Sequence, residues 1–149
     1  MSRRSSIAKA FATLLADNLT GSTTYTTNIN GNAYSELKFW DEVNDFPSIY
    51  IGKGSETREY MPAGFAWGFL NLSIKLYCKS ESSTEELEVL LEDVERLIDS
   101  QNGFIIYDST KGYSTTELSI ISIVTDEGLL KPYAVGEISL LVRYEIPKI

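Results

Sequence analysis

Apolar and polar residues alternate over residues 69–77 in the manner of a β-strand. One face consists of Leu70, Leu72, Ile74 and Leu76. The other consists of Asn71, Ser73 and Lys75, with Phe69 and Tyr77 at its ends. A period of two predicts a strand that packs one face against a core.

Residues 83–100 change to helical spacing. Their apolar residues recur at steps of three and four and form one stripe: Leu87, Leu90, Leu91, Val94, Leu97 and Ile98. Ser83 and Glu86 fit a capping box at the helix start, and Gly103 fits a stop just beyond its end. We therefore predict an amphipathic helix of about four turns.

The polar face of this helix is acidic. It carries Glu85, Glu86, Glu88, Glu92, Asp93, Glu95 and Asp99 against Arg96 alone. With Glu81, which precedes the helix, residues 81–99 hold −7 of the formal net charge of −8. A solvated helix face is the simple interpretation, and a surface that must not bind a polyanion is the sharper one.

The remaining elements follow from the same patterns. Residues 5–19 predict a first helix, ended by Gly21, with the stripe Ile7, Phe11, Leu14, Leu15 and Leu19. Strands are predicted at 48–52, 56–61, 104–107, 118–125 and 135–146, with turns at 53–55, 62–64 and 126–128. Residues 22–32 fit a loop or an edge hairpin, and residues 35–43 fit a short helix or the start of a strand.

This order predicts a single α+β domain over residues 1–149, a mainly antiparallel sheet with two amphipathic helices packed on one face. The other face would be uncovered near Phe69, Tyr77, Ile121, Ile123 and Leu141. Because a monomer rarely exposes such a patch without a use for it, we expect a protein–protein interface there. The alternative is that residues 22–45 fold back over this face.

The composition argues against catalysis. The chain has no histidine, which removes Ser-His-Asp and Cys-His nucleophiles and most catalytic zinc sites. The single cysteine, Cys78, is expected to be a buried structural thiol. Residues 52–55 lack phosphate-loop spacing, and Asp41, Glu42 and Asp45 lack calcium-loop spacing. We expect no enzymatic activity, no cofactor and no metal.

Localisation signals and nucleic-acid-binding patterns are also missing from the sequence. No apolar run approaches the roughly 20 residues of a membrane span, and no apolar region follows Arg3 and Arg4 to make a signal peptide. No basic stripe favours DNA recognition. The chain is therefore expected to be made in the cytoplasm.

Two further stretches carry a family resemblance. Residues 39–51 read F-W-D-E-V-N-D-F-P-S-I-Y-I, and residues 54–62 read G-S-E-T-R-E-Y-M-P. Together with the strand at 70–77, its capped helix and the hairpin at 118–146, they resemble the tail terminator (tail completion) proteins of long-tailed bacteriophages. The resemblance spans roughly residues 39–146, with the N-terminal helix also expected there.

The resemblance implies a structural virion protein at the head-proximal end of the tail. Such proteins form a ring, usually a homohexamer, which caps the tail tube, stops its polymerisation and docks the head connector. DNA passes through the ring without specific binding, and no membrane is involved. Alternatives are a head-completion or neck protein, a subunit of a phage-derived contractile device, an acidic adaptor or inhibitor of a host protein, and a metal-dependent enzyme.

No site motif of the family is matched, so the candidate contacts come from position alone. Two groups are expected to bind proteins: Arg58, Glu59 and Tyr60 on a projecting hairpin, and Leu129, Leu130 and Tyr133 in a turn. A third group, Glu88, Glu92 and Glu95, is expected to line the lumen of the ring.

Overall fold

The protein is described by a computed structural model that covers residues 2–147, so Met1, Lys148 and Ile149 lie outside the described residues. The helices are α1 (Arg3–Asn18) and α2 (Ser83–Ser100), and a 3-10 turn spans Trp40–Glu42. The strands are β1 (Ala33–Tyr34), β2 (Ser48–Tyr60), β3 (Phe65–Lys79), β4 (Ile106–Asp108), β5 (Tyr113–Thr125) and β6 (Tyr133–Pro147).

The strands form a curled sheet in the order β1-β2-β3-β6-β5-β4. The β1–β2 pair is parallel, and the other neighbouring pairs are antiparallel. Strands β3 and β6 lie at its centre and pair without interruption from Phe65 opposite Pro147 to Lys79 opposite Tyr133. The predicted α+β fold with a mainly antiparallel sheet is confirmed.

Both helices pack on one face of this sheet, as predicted. Helix α1 contacts β1, β2 and β4, whereas α2 contacts β3, β6 and β5. The predicted stripe of α2 is buried in full, and it joins the apolar face of β3 and the residues Ile138, Leu140, Val142, Tyr144 and Ile146 of β6 in one core. No helix within residues 2–147 combines the length and apolar character that crossing a membrane requires.

The first correction concerns β2, which the sequence predicted to be a hairpin. The Gly-Lys-Gly-Ser stretch at 52–55 does not reverse the chain, and β2 runs on to Tyr60 with a register shift between Lys53 and Glu56. The reversal occurs at 61–64, where Met61 N donates to Phe65 O at 2.9 Å. Glycine is compatible with a β-bulge as well as with a turn, which explains why the sequence predicted a turn at 53–55.

The second correction concerns the start of α2. Ser82 occupies the N-cap position, and no side chain caps the helix there. The buried Ser83 hydroxyl has no hydrogen-bond partner among residues 2–147, so the predicted capping box with Glu86 does not form. The predicted end is confirmed, since Gly103 follows the helix with φ +82°.

Several boundaries also move. Helix α1 begins at Arg3 because the Ser2 hydroxyl accepts from Ser5 N and caps it. Strand β5 begins at Tyr113, five residues before the predicted start at Leu118. Residues 20–30 form an irregular loop with a single antiparallel bridge between Thr20 and Asn28. This conformation is intermediate between the predicted loop and the predicted edge hairpin.

We predict that Leu90→Ala lowers the free energy of unfolding by about 2–5 kcal/mol, because Leu90 is fully buried between helix and sheet. The control is Val89→Ala, at a neighbouring side chain that is 46% exposed, which should change it by no more than about 0.5 kcal/mol. Denaturant unfolding measures both. Equal stability of the two variants would contradict the packing of α2.

Candidate assembly surfaces

One end of the sheet face opposite the helices is covered by residues 34–46, called here the crossing segment. Leu37 packs so closely over β2 that a Cβ atom at Gly52 would lie 2.5 Å from Leu37 Cδ1. The Tyr77 hydroxyl donates to the Lys38 carbonyl oxygen at 2.8 Å. These contacts attach the segment to both β2 and β3.

Aromatic rings secure the end of the crossing segment. The rings of Trp40 and Phe46 lie 5.3 Å and 5.8 Å from that of Tyr133 at the start of β6. The Lys79 ammonium lies 5.0 Å from the centre of the same Tyr133 ring. Val43 is buried beside them in a second, smaller apolar cluster.

The prediction of an uncovered sheet face is therefore right for part of the sheet. Tyr77 is 2% exposed beneath the crossing segment, so the alternative in which residues 22–45 fold back holds at that end. Phe69 and Leu141 are half-buried on the uncovered part.

The placement of β5 on this face needs a correction. A register shift around Ile121 creates a bulge there and leaves its side chain 60% exposed. Ile123 therefore pairs with Ile138 and returns to the helix side of the sheet, contrary to prediction. Val124, 59% exposed, takes the uncovered face instead. A bulge shifts the period of two by one residue, which the sequence pattern does not reveal.

The exposed connection between β2 and β3 is called here the hairpin tip, residues 57–65. Arg58, Glu59 and Tyr60 are all exposed on its β2 arm, as predicted, although they end a long strand instead of forming a returning one. Tyr60 is 64% exposed, a large aromatic surface on the part of β2 that lies beyond its pairing with β1. Their role as protein contacts stays a prediction.

The first residues of β3, which lead out of the tip, are held by aromatic contacts on the uncovered face. The rings of Phe65 and Trp67 meet edge-on at 5.2 Å, and the Arg143 guanidinium lies 4.4 Å from the Trp67 ring centre. Arg143 also bridges to Glu117 at 3.4 Å. These contacts support the β3 side of the tip, whereas on its β2 side Arg58 Nε lies 3.4 Å from Glu56 Oε2.

The turn between β5 and β6 lies at the opposite end of the sheet. The Asp126 carboxylate shapes it by accepting from Leu130 N and Val135 N, both at 3.1 Å. Leu129 is 83% exposed, whereas Leu130 and Tyr133 are half-buried. Of the three predicted contacts in this turn, Leu129 presents the largest free surface.

The predicted solvent exposure of the acidic side chains of α2 is confirmed in part. Glu88 and Glu92 are exposed, and Glu95 is half-buried. Asp93, predicted to be solvated with them, is 4% exposed.

Asp93 instead binds the 20–30 loop to the helix. Its Oδ2 accepts from Thr27 N at 3.1 Å, and its Oδ1 lies 3.5 Å from Arg96 Nη1. Arg96 in turn donates to the Thr24 carbonyl oxygen at 3.2 Å. The helical pattern did not identify this structural aspartate, because its partner is a loop amide far away in the sequence.

Cys78 is buried, as predicted, and burial raises the pKa of its thiol to about 12, with a smaller contribution from Glu86. Among residues 2–147, no group of three or more His, Cys, Asp or Glu side chains is arranged to hold a metal ion. Asp45 instead accepts a hydrogen bond from the Tyr34 hydroxyl at 3.3 Å.

Known proteins resemble this chain over its whole length. The family model described as "Bacteriophage Tail Tube Terminator Protein" matches residues 1–149. The chain is 35% identical over 156 aligned positions to the tail tube terminator protein p142 of Escherichia phage T5, covering 99% of this chain and 97% of that protein.

A solved structure supports the fold. A chain in the virion of a native gene transfer agent particle superimposes with a TM-score of 0.59 at 10% identity, covering 93% of this chain and 94% of that one. At this identity the likeness concerns the fold alone.

We predict that Tyr77 contributes to the loss of stability at high pH. Burial, with Tyr50 and Glu137 adding to it, raises the pKa of the phenol to about 12. A raised pKa means that the neutral phenol stabilises the folded state below about pH 10, and that this contribution disappears as the pH rises through the folded value. The fall in the free energy of unfolding between about pH 9 and pH 12 should therefore be smaller for Tyr77→Phe than for the wild type. Equal falls would contradict the prediction.

Proposed function

The chain belongs to the bacteriophage tail tube terminator family, and from this premise we propose that it caps the end of a tail tube as a homohexameric ring. Members of this family are structural proteins of the phage virion, which places the chain in the tail. The ring stops tube polymerisation at the head-proximal end and forms the docking surface for the head connector. It works by shape and surface contacts, without enzymatic chemistry or a cofactor.

The hairpin tip is the observation that carries this proposal. Its β2 arm exposes Arg58, Glu59 and Tyr60 together at one end of the sheet. Arginine and tyrosine are enriched among residues that dominate binding energy, because they combine a large contact area with hydrogen bonding. We assign this end to the tail tube.

The turn between β5 and β6 suits the second partner. It lies where Lys79 pairs with Tyr133, at the other end of β3 and β6 from the tip. Leu129 exposes an apolar side chain there, with Leu130 and Tyr133 beside it. A subunit with contact surfaces at both ends of one rigid sheet fits between two rings, so we assign this end to the head connector.

The acidic face of α2 suits the lumen. Glu88, Glu92 and Glu95 lie on it with little compensation by basic residues. Negative charge repels the phosphate backbone, which lets DNA pass without sticking. The sheet edges are then available for contacts between neighbouring copies.

The experiment that tests the cap uses the purified, labelled chain and tail tubes assembled from the tube protein of the same genome. Label at one tube end, with growth arrested there, is expected when the tubes are imaged. Label along the tube or nowhere would overturn the proposal. Binding to portal-side complexes would then favour the head-completion alternative.

We predict that the double variant Arg58→Ala/Tyr60→Ala binds tube ends at least about tenfold more weakly than the wild type, because both side chains are exposed at the tip. Leu129→Ala should keep wild-type binding to tube ends and weaken connector docking. Titration of labelled protein on tubes measures the first effect. Equal losses in the two variants would contradict the assignment of the two ends.

We predict that the triple variant Glu88→Lys/Glu92→Lys/Glu95→Lys makes capped tubes retain DNA, with a retention that falls as salt is added. The control, Glu36→Lys/Glu42→Lys/Glu127→Lys, changes the net charge equally at exposed positions elsewhere. Filter binding of double-stranded DNA to capped tubes separates them. Equal retention of DNA by both variants would contradict the assignment of the acidic face of α2 to the lumen.

A further inference from the structure

A row of three residues crosses β2, β3 and β6 at the base of the hairpin tip. Arg58 pairs with Gly68, and Gly68 pairs with Tyr144. Cross-strand partners in an antiparallel sheet share a face. Tyr144 is part of the helix-side core, so this row lies on the inner face of the sheet.

Gly68 lets the Tyr144 ring lie directly on the backbone of β3. A Cβ atom at Gly68 would be 2.9 Å from Tyr144 Cε1 and 2.8 Å from Ile146 Cδ1, closer than real side chains approach. The ring therefore uses the space of the missing side chain to cross β3. Its hydroxyl reaches β2 and donates to Glu56 Oε1.

Glu56 lies at the bulge in β2 where the register shifts, and this bulge brings its carboxylate to Tyr144. The Glu56 side chain is only 10% exposed, and its Oε2 lies 3.4 Å from Arg58 Nε. Burial, with the bond to Glu56 adding to it, raises the pKa of Tyr144, so its hydroxyl remains a donor at neutral pH. The Tyr107 ring of β4 meets the Tyr144 ring edge-on at 6.1 Å.

We propose that the tie from Tyr144 across Gly68 to Glu56 holds the β2 arm of the hairpin tip and orients Arg58 toward its partner. Glu56, Gly68 and Tyr144 are then positioning residues for the contact made by Arg58, Glu59 and Tyr60. The inference rests on the proposed tube contact at the tip. It adds a structural reason why the contact surface at the tip is already ordered before the tail tube binds.

Such a tie adds to the cross-strand pairing by which the β2 arm is attached to β3. The side chains of this arm are exposed and contribute little packing, and β2 pairs here with β3 alone, since β1 pairs only with Ile49 and Tyr50. Segments with few buried contacts open locally at low free-energy cost. A buried charge-assisted hydrogen bond at the base opposes this opening, and it preserves the shape that binding would otherwise have to restore.

Tyr144→Phe tests the tie, because it removes the hydroxyl and leaves the ring over Gly68. Its matched control is Tyr77→Phe, since Tyr77 is equally buried and also donates one hydrogen bond, but at the other end of the sheet. We expect amide hydrogen exchange in the tip to accelerate about tenfold in Tyr144→Phe alone, with residues 70–76 unchanged in both variants. Tube-end binding should weaken several-fold in Tyr144→Phe and stay at the wild-type level in Tyr77→Phe.

Two further variants keep the test decisive if Tyr144→Phe folds poorly. Glu56→Gln retains an oxygen that can accept from Tyr144, whereas Glu56→Ala does not, so the first should protect the tip from exchange more than the second. Equal exchange in the tip for the wild type, Tyr144→Phe and Glu56→Ala would overturn the tie. If the wild type fails to bind tube ends while exchange in the tip behaves as expected, the proposed function fails and the tie stands.

Discussion

The uninterrupted pairing of β3 with β6 is the constraint on which the rest of the structure depends. Fifteen residues of each strand lie in register, and their inward side chains make one side of the core. Helix α2 packs across both strands, while β2 and β5 extend the sheet on either side. The two ends of this ladder also determine where the hairpin tip and the β5–β6 turn lie. A shift of one residue would turn every core side chain outward, so the position of both candidate surfaces depends on the same register that fills the core.

The elements with the clearest one-sided pattern could be predicted from the sequence. The apolar residues of β3, α2 and β6 recur with the period of their element and are buried where that period places them. The errors fall where local residue types suit more than one geometry. Glycines at 52 and 54 fit a turn as well as a bulge, and Ile121 and Ile123 fit an unbroken strand until a bulge separates their faces. Such choices are made by the neighbouring strand, which the local pattern does not contain.

The candidate surfaces, too, could be predicted only where the local sequence determines them. The exposure of Arg58, Glu59 and Tyr60 follows from their place beside a Pro-Ala-Gly reversal, which the sequence displays. The contact between Glu56 and Tyr144 could not be predicted, because the two residues are 88 positions apart and meet only across a third strand. Asp93 illustrates the point on the opposite face of the core. It lies among solvated acids in the helical pattern, and only the folded position of the Thr27 amide explains why it is buried.

The distribution of charge bears on how copies of such a chain could assemble. With a formal net charge of −8, two copies repel each other at any random approach. The repulsion is not spread evenly, since α2 carries seven acids and one arginine, and therefore −6 of the total. Exposed charges farther apart than about 8 Å are largely screened at physiological salt. In the proposed ring, copies that keep their α2 faces apart across the lumen would meet through surfaces that are nearly neutral. Under the same proposal, this segregation would direct the repulsion at a polyanion within the lumen, so that one helix face would serve both ring closure and DNA passage.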